Sequence, residues 1–312
     1  MSSRQIKRVV AEAVARRQPV VALESALITH GFDYPANLHI ARRIETAVRE
    51  VDVVPATIAL VDGEPHVGLS DEDLLRLASS ASSDRPKPKR PIKVSLRDLP
   101  IALARGSSGG TTVAATAHLA HLAGIQVLCT GGIGGVHRDL PQDISADLTA
   151  LGSLPLVFVC SGAKSILDLR ATLEVLESKG VPVIGYGTKV FPAFYNRQSG
   201  FNVDVSVDTP GQVVDLVQMR NKLELKTGLL ICVPVPEGAA LAQLETESAI
   251  RQATEEAKDA GVTGKDLTPF LLKRIVALTD GKARDANEAL LLNNARVAAH
   301  IARALVDVES HA

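Results

Sequence analysis

Short runs of hydrophobic residues recur along the chain as far as residue 236, and amphipathic or polar stretches separate them. Runs without strict alternation are typical of strands that are buried on both faces of a parallel sheet. They predict strands at 19–28, 56–61, 101–105, 125–130, 154–161, 181–186 and 228–235.

The stretches between these runs carry hydrophobic residues at the spacing of an amphipathic helix. They predict helices at 36–51, 70–80, 111–123 and 163–180. Alternating strands and helices indicate an α/β protein with a largely parallel sheet. After residue 236 the pattern is helical throughout, with candidates at about 239–260, 265–279 and 284–308. We therefore expect one domain over 1–312, in which a helical part at about 237–312 packs on the sheet.

The composition excludes several classes of protein. The chain has 46% hydrophobic residues and 34 Lys and Arg against 35 Asp and Glu, so it lacks the positive charge with which proteins bind a nucleic acid polymer. No hydrophobic run approaches the roughly 20 residues of a membrane span, and the N-terminus does not resemble a secretory signal. The 3 cysteines lie in hydrophobic runs and indicate a reducing compartment, so we expect a cytoplasmic protein.

One segment, 79–91, is rich in Ser, Pro and basic residues and shows no periodicity. It predicts an exposed loop, and phosphate binding by its Lys and Arg side chains is the weaker alternative.

Polar residues that follow the predicted strands are the candidates for chemistry, because ligands bind beyond the carboxyl ends of the strands in open α/β sheets. Glu24 interrupts the first hydrophobic run, where an unpaired carboxylate is costly to bury. It is either a proton donor in a cleft or the partner of an arginine in a structural ion pair.

Two further segments follow the strand at 125–130. The glycine-rich run 129–138 offers backbone N–H groups to an oxyanion or a phosphate, or forms a simple turn. Asp143 and Asp147 would share one face of a helix, with Ser145 between them. Such oxygen ligands suit Mg²⁺ or Mn²⁺, although aspartates at the start of a helix also interact favourably with its dipole.

Lys164 follows the strand at 154–161 and a tight Ser-Gly-Ala turn. We expect it near the start of a helix, where burial and the helix dipole would lower the pKa of its amine, as a Schiff-base nucleophile requires. The alternative is an ordinary solvated lysine in the first turn of a helix.

These segments belong to a longer series of motifs, which reads VALESALITHGFDYPAN, VPATIALVDGEPHVGLS, KVSLRDLP, GGTTVAAT, TGGIGGVHR, DISADL, GAKSILDL, FPAFY, GKDLTPFLL and LLNNA. In this order, and over almost the whole chain, the series resembles the pseudouridine-5′-phosphate glycosidases. The resemblance implies a homotrimer with a three-layer α/β/α fold. It also implies reversible conversion of pseudouridine 5′-phosphate and water to uracil and ribose 5-phosphate, with a divalent metal such as Mn²⁺ (or Mg²⁺).

The resemblance also assigns roles to residues. It implies that Glu24 is the proton donor and Lys164 the nucleophile, which adds at C1′ while Glu24 protonates the ring oxygen. An imine with Lys164 then allows the bond between C1′ and the base to break. The remaining implied residues are Lys93, Val113, Ser145, Ala146 and Asp147 on the substrate and Asp143 on the metal.

Several residues depart from the family pattern, namely Ala26, Gly187, Val233, the short stretch between His137 and Asp143, and the long 80–90 loop. Because these departures concern the base more than the sugar phosphate, a second reading is a related synthase that joins ribose 5-phosphate to an aromatic acceptor. A third reading is a sugar-phosphate-binding protein without catalytic activity.

Overall fold

The computed structural model of the chain describes residues 7–81, 90–138 and 140–309. Most of the segment that we predict as a basic loop therefore lies outside the described residues. The strands are Val20–Leu23 (β1), Val54–Val61 (β2), Glu64–Val67 (β3), Ile92–Val94 (β4), Gly109–Thr111 (β5), Val127–Cys129 (β6), Val136–His137 (β7), Leu140–Ile144 (β8), Val157–Cys160 (β9), Leu167–Asp168 (β10), Val183–Tyr186 (β11), Val205–Val207 (β12) and Leu229–Cys232 (β13).

Helices connect these strands and follow the last of them. They are Arg8–Ala15 (α1), Ala26–His30 (α2), Ala36–Arg49 (α3), Asp71–Ser80 (α4), Leu99–Ala104 (α5), Val113–Leu122 (α6), Ala146–Leu151 (α7), Leu169–Ser178 (α8), Pro210–Lys222 (α9), Gln243–Asp259 (α10), Leu267–Leu278 (α11) and Lys282–Glu309 (α12). Among the residues that the structure describes, no helix is both long and apolar enough to cross a membrane.

The central sheet has the strand order β12-β11-β13-β9-β6-β1-β2-β5-β4, and β3 pairs with β2. All neighbours from β12 to β2 are parallel, and only the pairs that β2 forms with β3 and β5 are antiparallel. A second, small antiparallel sheet has the order β10-β7-β8. The predicted α/β class and the largely parallel sheet are confirmed.

Helices cover the sheet on both sides, as continuous hydrophobic strands require. Helix α12 packs along β1, β6 and β9 and also contacts α3, while α6 packs on β1, β2 and β6 and contacts α7. The hydrophobic core includes residues of the strands and of the C-terminal helices together. The helical part after residue 236 therefore packs on the sheet, as we expect from the sequence.

Three predictions from the hydrophobic pattern are wrong. The run 101–105 is not a strand but part of α5, because a capping box of Ser95 and Asp98 and an early proline start a helix there. The run 19–28 is a strand only as far as Leu23 and then turns into α2. The helix predicted at 163–180 starts at Leu169, where the Asp168 side chain accepts a hydrogen bond from Ala171 N.

Helix α12 is tied to the strand ends that carry the candidate chemistry. The buried Asn294 side chain donates to the carbonyl of Thr130 at 2.9 Å, directly after β6. Its Oδ1 accepts a hydrogen bond from Ser161 Oγ at 3.1 Å, directly after β9. One amide therefore connects the carboxyl ends of two neighbouring parallel strands to the C-terminal helix.

We expect Asn294→Leu to lower the free energy of unfolding by about 1–3 kcal/mol, because it leaves buried polar groups of two strand ends without partners. Urea denaturation followed by circular dichroism measures the change. The neighbouring Asn293→Leu is the control, because Asn293 is only half-buried and its amide makes a single long bond of 3.4 Å to Pro234 O. Equal losses in the two variants would contradict the role given to Asn294.

Candidate active site

A cavity of about 560 Å³ opens beyond the carboxyl ends of the parallel strands. Its lining contains all eight residues to which the resemblance assigns a role: Glu24, Lys93, Val113, Asp143, Ser145, Ala146, Asp147 and Lys164. These residues are up to 140 positions apart in the chain, so the fold and not the local sequence brings them together.

Glu24 follows β1, and its position is fixed by the register of the sheet. Leu23 pairs with Cys129 of β6, so the residues that follow them, Glu24 and Thr130, lie side by side. Thr130 Oγ1 donates a hydrogen bond to Glu24 Oε1 at 2.8 Å. Burial raises the pKa of Glu24, against the opposing effects of Lys164 and Thr130. No arginine pairs with it among the ion pairs found in the described residues, which favours the proton-donor reading over a structural ion pair.

Lys164 lies in a tight turn between β9 and β10. Its Nζ donates to the carbonyl of Gly132 at 2.9 Å, and its backbone N–H donates to Ile133 O at 3.1 Å. The prediction that Lys164 stands near the start of a helix is wrong, because α8 begins only at Leu169. The amine is held instead by a carbonyl of the glycine-rich run and lies close to the Glu24 carboxyl.

The glycine-rich run uses its polar groups differently from the expected anion site. Besides the Gly132 carbonyl that faces Lys164, Gly134 N donates to Asp147 Oδ2 at 2.8 Å and Ile133 N donates to Gly162 O at 3.1 Å. Glycine is required at 134, because an added Cβ would approach Ser145 Oγ to 2.3 Å. The glycine-rich run therefore packs closely against the segment of Ser145 and places the Gly132 carbonyl as a hydrogen-bond acceptor for Lys164.

Asp147 and Asp143 do not share a helix face, contrary to our prediction. Asp143 belongs to strand β8, Ser145 caps α7, and the helix begins at Ala146. The buried Asp147 carboxylate accepts hydrogen bonds from Gly134 N and, at 2.9 Å, from Ala114 N. Asp147 thus joins the glycine-rich run to the start of α6, and both of its oxygens are engaged by the backbone.

Lys93 and Thr112 come together because β4 and β5 are paired. Thr112 N donates to Val94 O at 2.9 Å, and Lys93 pairs with Gly110 in the register of the sheet. Thr112 precedes the first residue of α6, yet its buried hydroxyl has no hydrogen-bond partner in the described parts of the chain. A helix N-terminus, a hydroxyl and a lysine together suit an anion.

His30 is a lining residue that the sequence analysis does not identify. Burial and the nearby Lys93 lower the pKa of its imidazole to about 4, although Asp266 opposes the shift. Its Nδ1 lies 2.6 Å from Thr29 Oγ1. The ring is therefore uncharged near neutral pH and has a fixed orientation at the cavity wall.

The residues that could hold a metal ion are Asp143 and His137, which face each other across the β7–β8 hairpin. Asp143 Oδ2 lies 3.8 Å from His137 Nε2, and both residues line the cavity. No cluster of three or more such ligands occurs within residues 7–81, 90–138 and 140–309. One or two protein ligands nevertheless fit Mn²⁺ or Mg²⁺, which keep several waters or substrate oxygens as ligands.

The sequence analysis does not identify several other residues that line the cavity or bond to its lining residues. Thr112 and Thr130 could be found as hydroxyls that directly follow strands or precede a helix. Apolar residues such as Leu27, Phe194 and Leu291 give no such signal, because a hydrophobic side chain at a cavity wall looks like core in the sequence. Of the departures from the family pattern, Ala26 lines the cavity, whereas Gly187 and Val233 do not.

Comparison with known proteins identifies relatives along nearly the whole chain. The model of the family described as indigoidine synthase A like protein matches residues 9–304. A pseudouridine-5′-phosphate glycosidase of Rhizobium johnstonii is 51% identical over 96% of this chain and 94% of its own length. One from Symbiobacterium thermophilum is 50% identical over 95% of this chain and 96% of its own length. The resemblance inferred from the motifs is confirmed.

Solved structures agree with this result. The prealnumycin C-glycosynthase AlnA, determined in complex with ribulose 5-phosphate, superposes with a TM-score of 0.87, and the match covers 98% of both chains at 38% identity. An indigoidine synthase A-like protein of Thermotoga maritima gives a TM-score of 0.85 at 35% identity, covering 93% of this chain and 94% of that one. The homotrimer implied by the resemblance and the cytoplasmic location inferred from the cysteines stay predictions.

The raised pKa of Glu24 makes a prediction about stability. The folded chain binds the Glu24 proton more tightly than the unfolded chain, whose carboxyl has the ordinary value of 4.5. The contribution of this group to stability is therefore lost as the pH rises above about 4.5. We expect Glu24→Gln, which cannot ionise, to gain thermal stability relative to the wild type as the pH rises.

Melting temperatures from pH 4 to 8, measured by differential scanning fluorimetry, test this prediction. Glu237→Gln on the exposed surface is the control and should show no such trend. A difference between Glu24→Gln and the wild type that does not change with pH, or that reverses, would contradict the buried state of Glu24.

Proposed function

Since this chain belongs to the family of indigoidine synthase A like proteins, we propose that it is a C-glycosidase that reversibly converts pseudouridine 5′-phosphate and water to uracil and ribose 5-phosphate. The observation that carries the proposal is that a buried carboxyl, Glu24, and a lysine amine, Lys164, line the same cavity and influence each other electrostatically. An acid and a nucleophile of these types are what the cleavage of a C–C glycosidic bond requires.

The chemistry of that bond explains the requirement. A base bound through carbon has no basic leaving atom, so protonation by a carboxyl pair, as in ordinary glycosidases, does not release it. An amine on C1′ instead supplies the electron pair that expels the base. The base carbon takes up a proton, and the electrons of the broken bond stay with it.

The steps follow from the groups in the cavity. Lys164 Nζ forms a bond to C1′ as the bond from C1′ to the ring oxygen breaks, and Glu24 gives its proton to that oxygen. The carboxylate of Glu24 then accepts a proton from the new ammonium. Glu24 then returns this proton to the base carbon as the bond from C1′ to the base breaks, and an iminium remains on Lys164. Water hydrolyses it to ribose 5-phosphate and the free amine.

A raised pKa suits Glu24 for this role, because a carboxyl that holds its proton more tightly than usual is better able to act as a general acid. The Thr130 hydroxyl donates a hydrogen bond to one oxygen of the Glu24 carboxyl. Among the neighbouring groups, Lys164 most favours the ionised form of Glu24, which is left when Glu24 has given its proton to the ring oxygen. The Gly132 carbonyl accepts a hydrogen bond from Lys164 Nζ and so directs the amine before substrate binds.

We propose that the phosphate of the substrate lies at the start of α6, between Lys93 and the Thr112 hydroxyl. The unpartnered hydroxyl, the helix N-terminus and the lysine support this placement. Val113, Ser145 and Ala146 then contact the substrate through the adjoining cavity wall, whereas Asp147 acts through the backbone groups that it holds.

We further propose that Mn²⁺ or Mg²⁺ is bound through Asp143, with His137 beside it. When bound, the ion would supply positive charge to substrate oxygens. Asp143 and His137 would fix its place at the β7–β8 hairpin, on the wall of the same cavity as Lys164.

The second candidate function is a C-ribosylating synthase with an aromatic acceptor. It rests on the structural match to the C-glycosynthase AlnA and on the apolar lining residues Leu27, Phe194 and Leu291. The glycosidases are the more similar relatives in sequence, at 50–51% identity against 38%. We therefore place uracil first.

Incubation with ribose 5-phosphate, Mn²⁺ and either uracil or a polycyclic phenol, followed by mass spectrometry of the products, tests the proposed function. We expect pseudouridine 5′-phosphate from uracil. Lys164→Ala should abolish it, and Glu24→Gln should slow it by about 10²- to 10⁴-fold, as the loss of a general acid does.

The exposed Lys226→Ala is the control and should retain full activity. A product only from the phenol would establish the second candidate, and turnover by Lys164→Ala would contradict both. If the wild type forms no product with uracil and none with the phenol, the alternative of a sugar-phosphate-binding protein without catalytic activity would remain.

The phosphate site makes its own prediction. We expect Thr112→Val to raise the KM for ribose 5-phosphate by about 10-fold or more, because a hydrogen bond to a charged group is lost. The KM for uracil should not change. Unphosphorylated ribose provides the control, since the wild type and Thr112→Val should use it equally poorly. An equal effect of the variant on both sugars would contradict the placement of the phosphate.

A further inference from the structure

Arg138 follows β7 in the hairpin that carries His137, and its guanidinium reaches the turn of Lys164. Its Nε donates to Leu167 O at 3.1 Å, and its Nη2 donates to Ser165 O at 2.8 Å. Both carbonyls belong to the three residues that directly follow Lys164. One rigid, planar group thus holds two points of the segment that presents the lysine.

The backbone holds the same turn only at its ends. Lys164 N donates to Ile133 O at 3.1 Å, and Leu167 N donates to Lys164 O at 3.0 Å. Leu167 also pairs with His137 in the small antiparallel sheet. The carbonyl of Ser165, in the middle of the turn, has the Arg138 guanidinium as its hydrogen-bond partner.

The charge of Arg138 serves no ion pair within the part of the chain that the structure describes. Hydrogen bonds from a charged donor are stronger than those between neutral groups, so two of them restrain a short turn effectively. Arg138 and His137 are adjacent in one hairpin but serve different parts of the site. His137 lines the cavity beside Asp143, whereas Arg138 lies behind the lysine turn.

We propose that Arg138 is a positioning residue that fixes the direction of the Lys164 amine toward the reacting carbon. The inference rests on the proposed function of Lys164 as the nucleophile. Arg138 does not touch the substrate, since it is absent from the lining of the cavity that holds Glu24 and Lys164. It acts by keeping the turn in the geometry in which Lys164 Nζ meets Gly132 O at 2.9 Å.

Arg138→Gln and the matched control Arg170→Gln test this inference. Arg138 and Arg170 both line a second cavity, which lies behind the lysine turn. The Arg170 guanidinium, however, lies over the Phe201 ring and bonds none of the turn carbonyls. We expect Arg138→Gln to lower kcat by about 10- to 100-fold, the order that a small misplacement of a reacting group causes. The KM for ribose 5-phosphate should stay within about twofold, because ground-state binding is unchanged.

A second readout does not depend on turnover. Competitive acetylation of the folded protein with a trace of acetic anhydride, read by mass spectrometry of the peptides, reports the reactivity of each lysine amine. Loss of charge-assisted hydrogen bonds should change the rate at Lys164 by about tenfold in Arg138→Gln. The rate should remain at the wild-type value in Arg170→Gln. Guanidinium ion added to Arg138→Ala should restore both the rate at Lys164 and kcat.

Wild-type values of kcat and of Lys164 acetylation in Arg138→Gln would overturn the inference, and so would equal losses in the two arginine variants. If Arg138→Gln does not fold, Arg138→Lys, which keeps one charged donor, replaces it. We expect this variant to lower kcat measurably but by less than about 10-fold, and a wild-type kcat there would again overturn the inference. A wild type without turnover would refute the proposed function alone, because Lys164 acetylation still decides whether Arg138 positions the turn.

Discussion

A carboxyl group that is buried where β1 ends is the constraint on which the site depends. Glu24 is shielded from water, so its charged form is disfavoured and its pKa is raised. The Thr130 hydroxyl and the nearby Lys164 amine are the neighbours that make such burial tolerable. Since each follows a different parallel strand, the order and register of the sheet determine whether this group of side chains can form.

The same edge of the sheet is held together by a second buried carboxylate and by an amide. Asp147 accepts the N–H groups of Ala114 and Gly134, and Asn294 connects the ends of β6 and β9 to α12. Through these hydrogen bonds, α6, α7 and α12, which are far apart in the chain, all hold segments that line the same cavity. Asp147, which the resemblance places on the substrate, thus has both carboxylate oxygens bound to backbone N–H groups.

The sequence predicts much of this fold, because most buried strands and amphipathic helices follow from hydrophobic pattern alone. It misleads where local signals override that pattern, as at 101–105, where a capping box starts a helix, and at Asp168, whose cap delays α8. The candidate site was predictable as a set of residues, since all of them line one cavity. The contacts of these residues were not predictable. The approach of Asp143 to His137 and the hydrogen bond from Arg138 to Ser165 O both depend on the β7–β8 hairpin, which has no clear signal in the sequence.

The proposed reaction depends above all on a covalent bond between the Lys164 amine and the open sugar. Borohydride added during incubation with ribose 5-phosphate reduces an imine to a stable secondary amine, which peptide mass spectrometry locates. We expect the sugar phosphate on Lys164, no adduct in Lys164→Ala, and none on Lys226 at the exposed surface. An adduct on Lys93 instead, or continued turnover while Lys164 carries no sugar, would contradict the account.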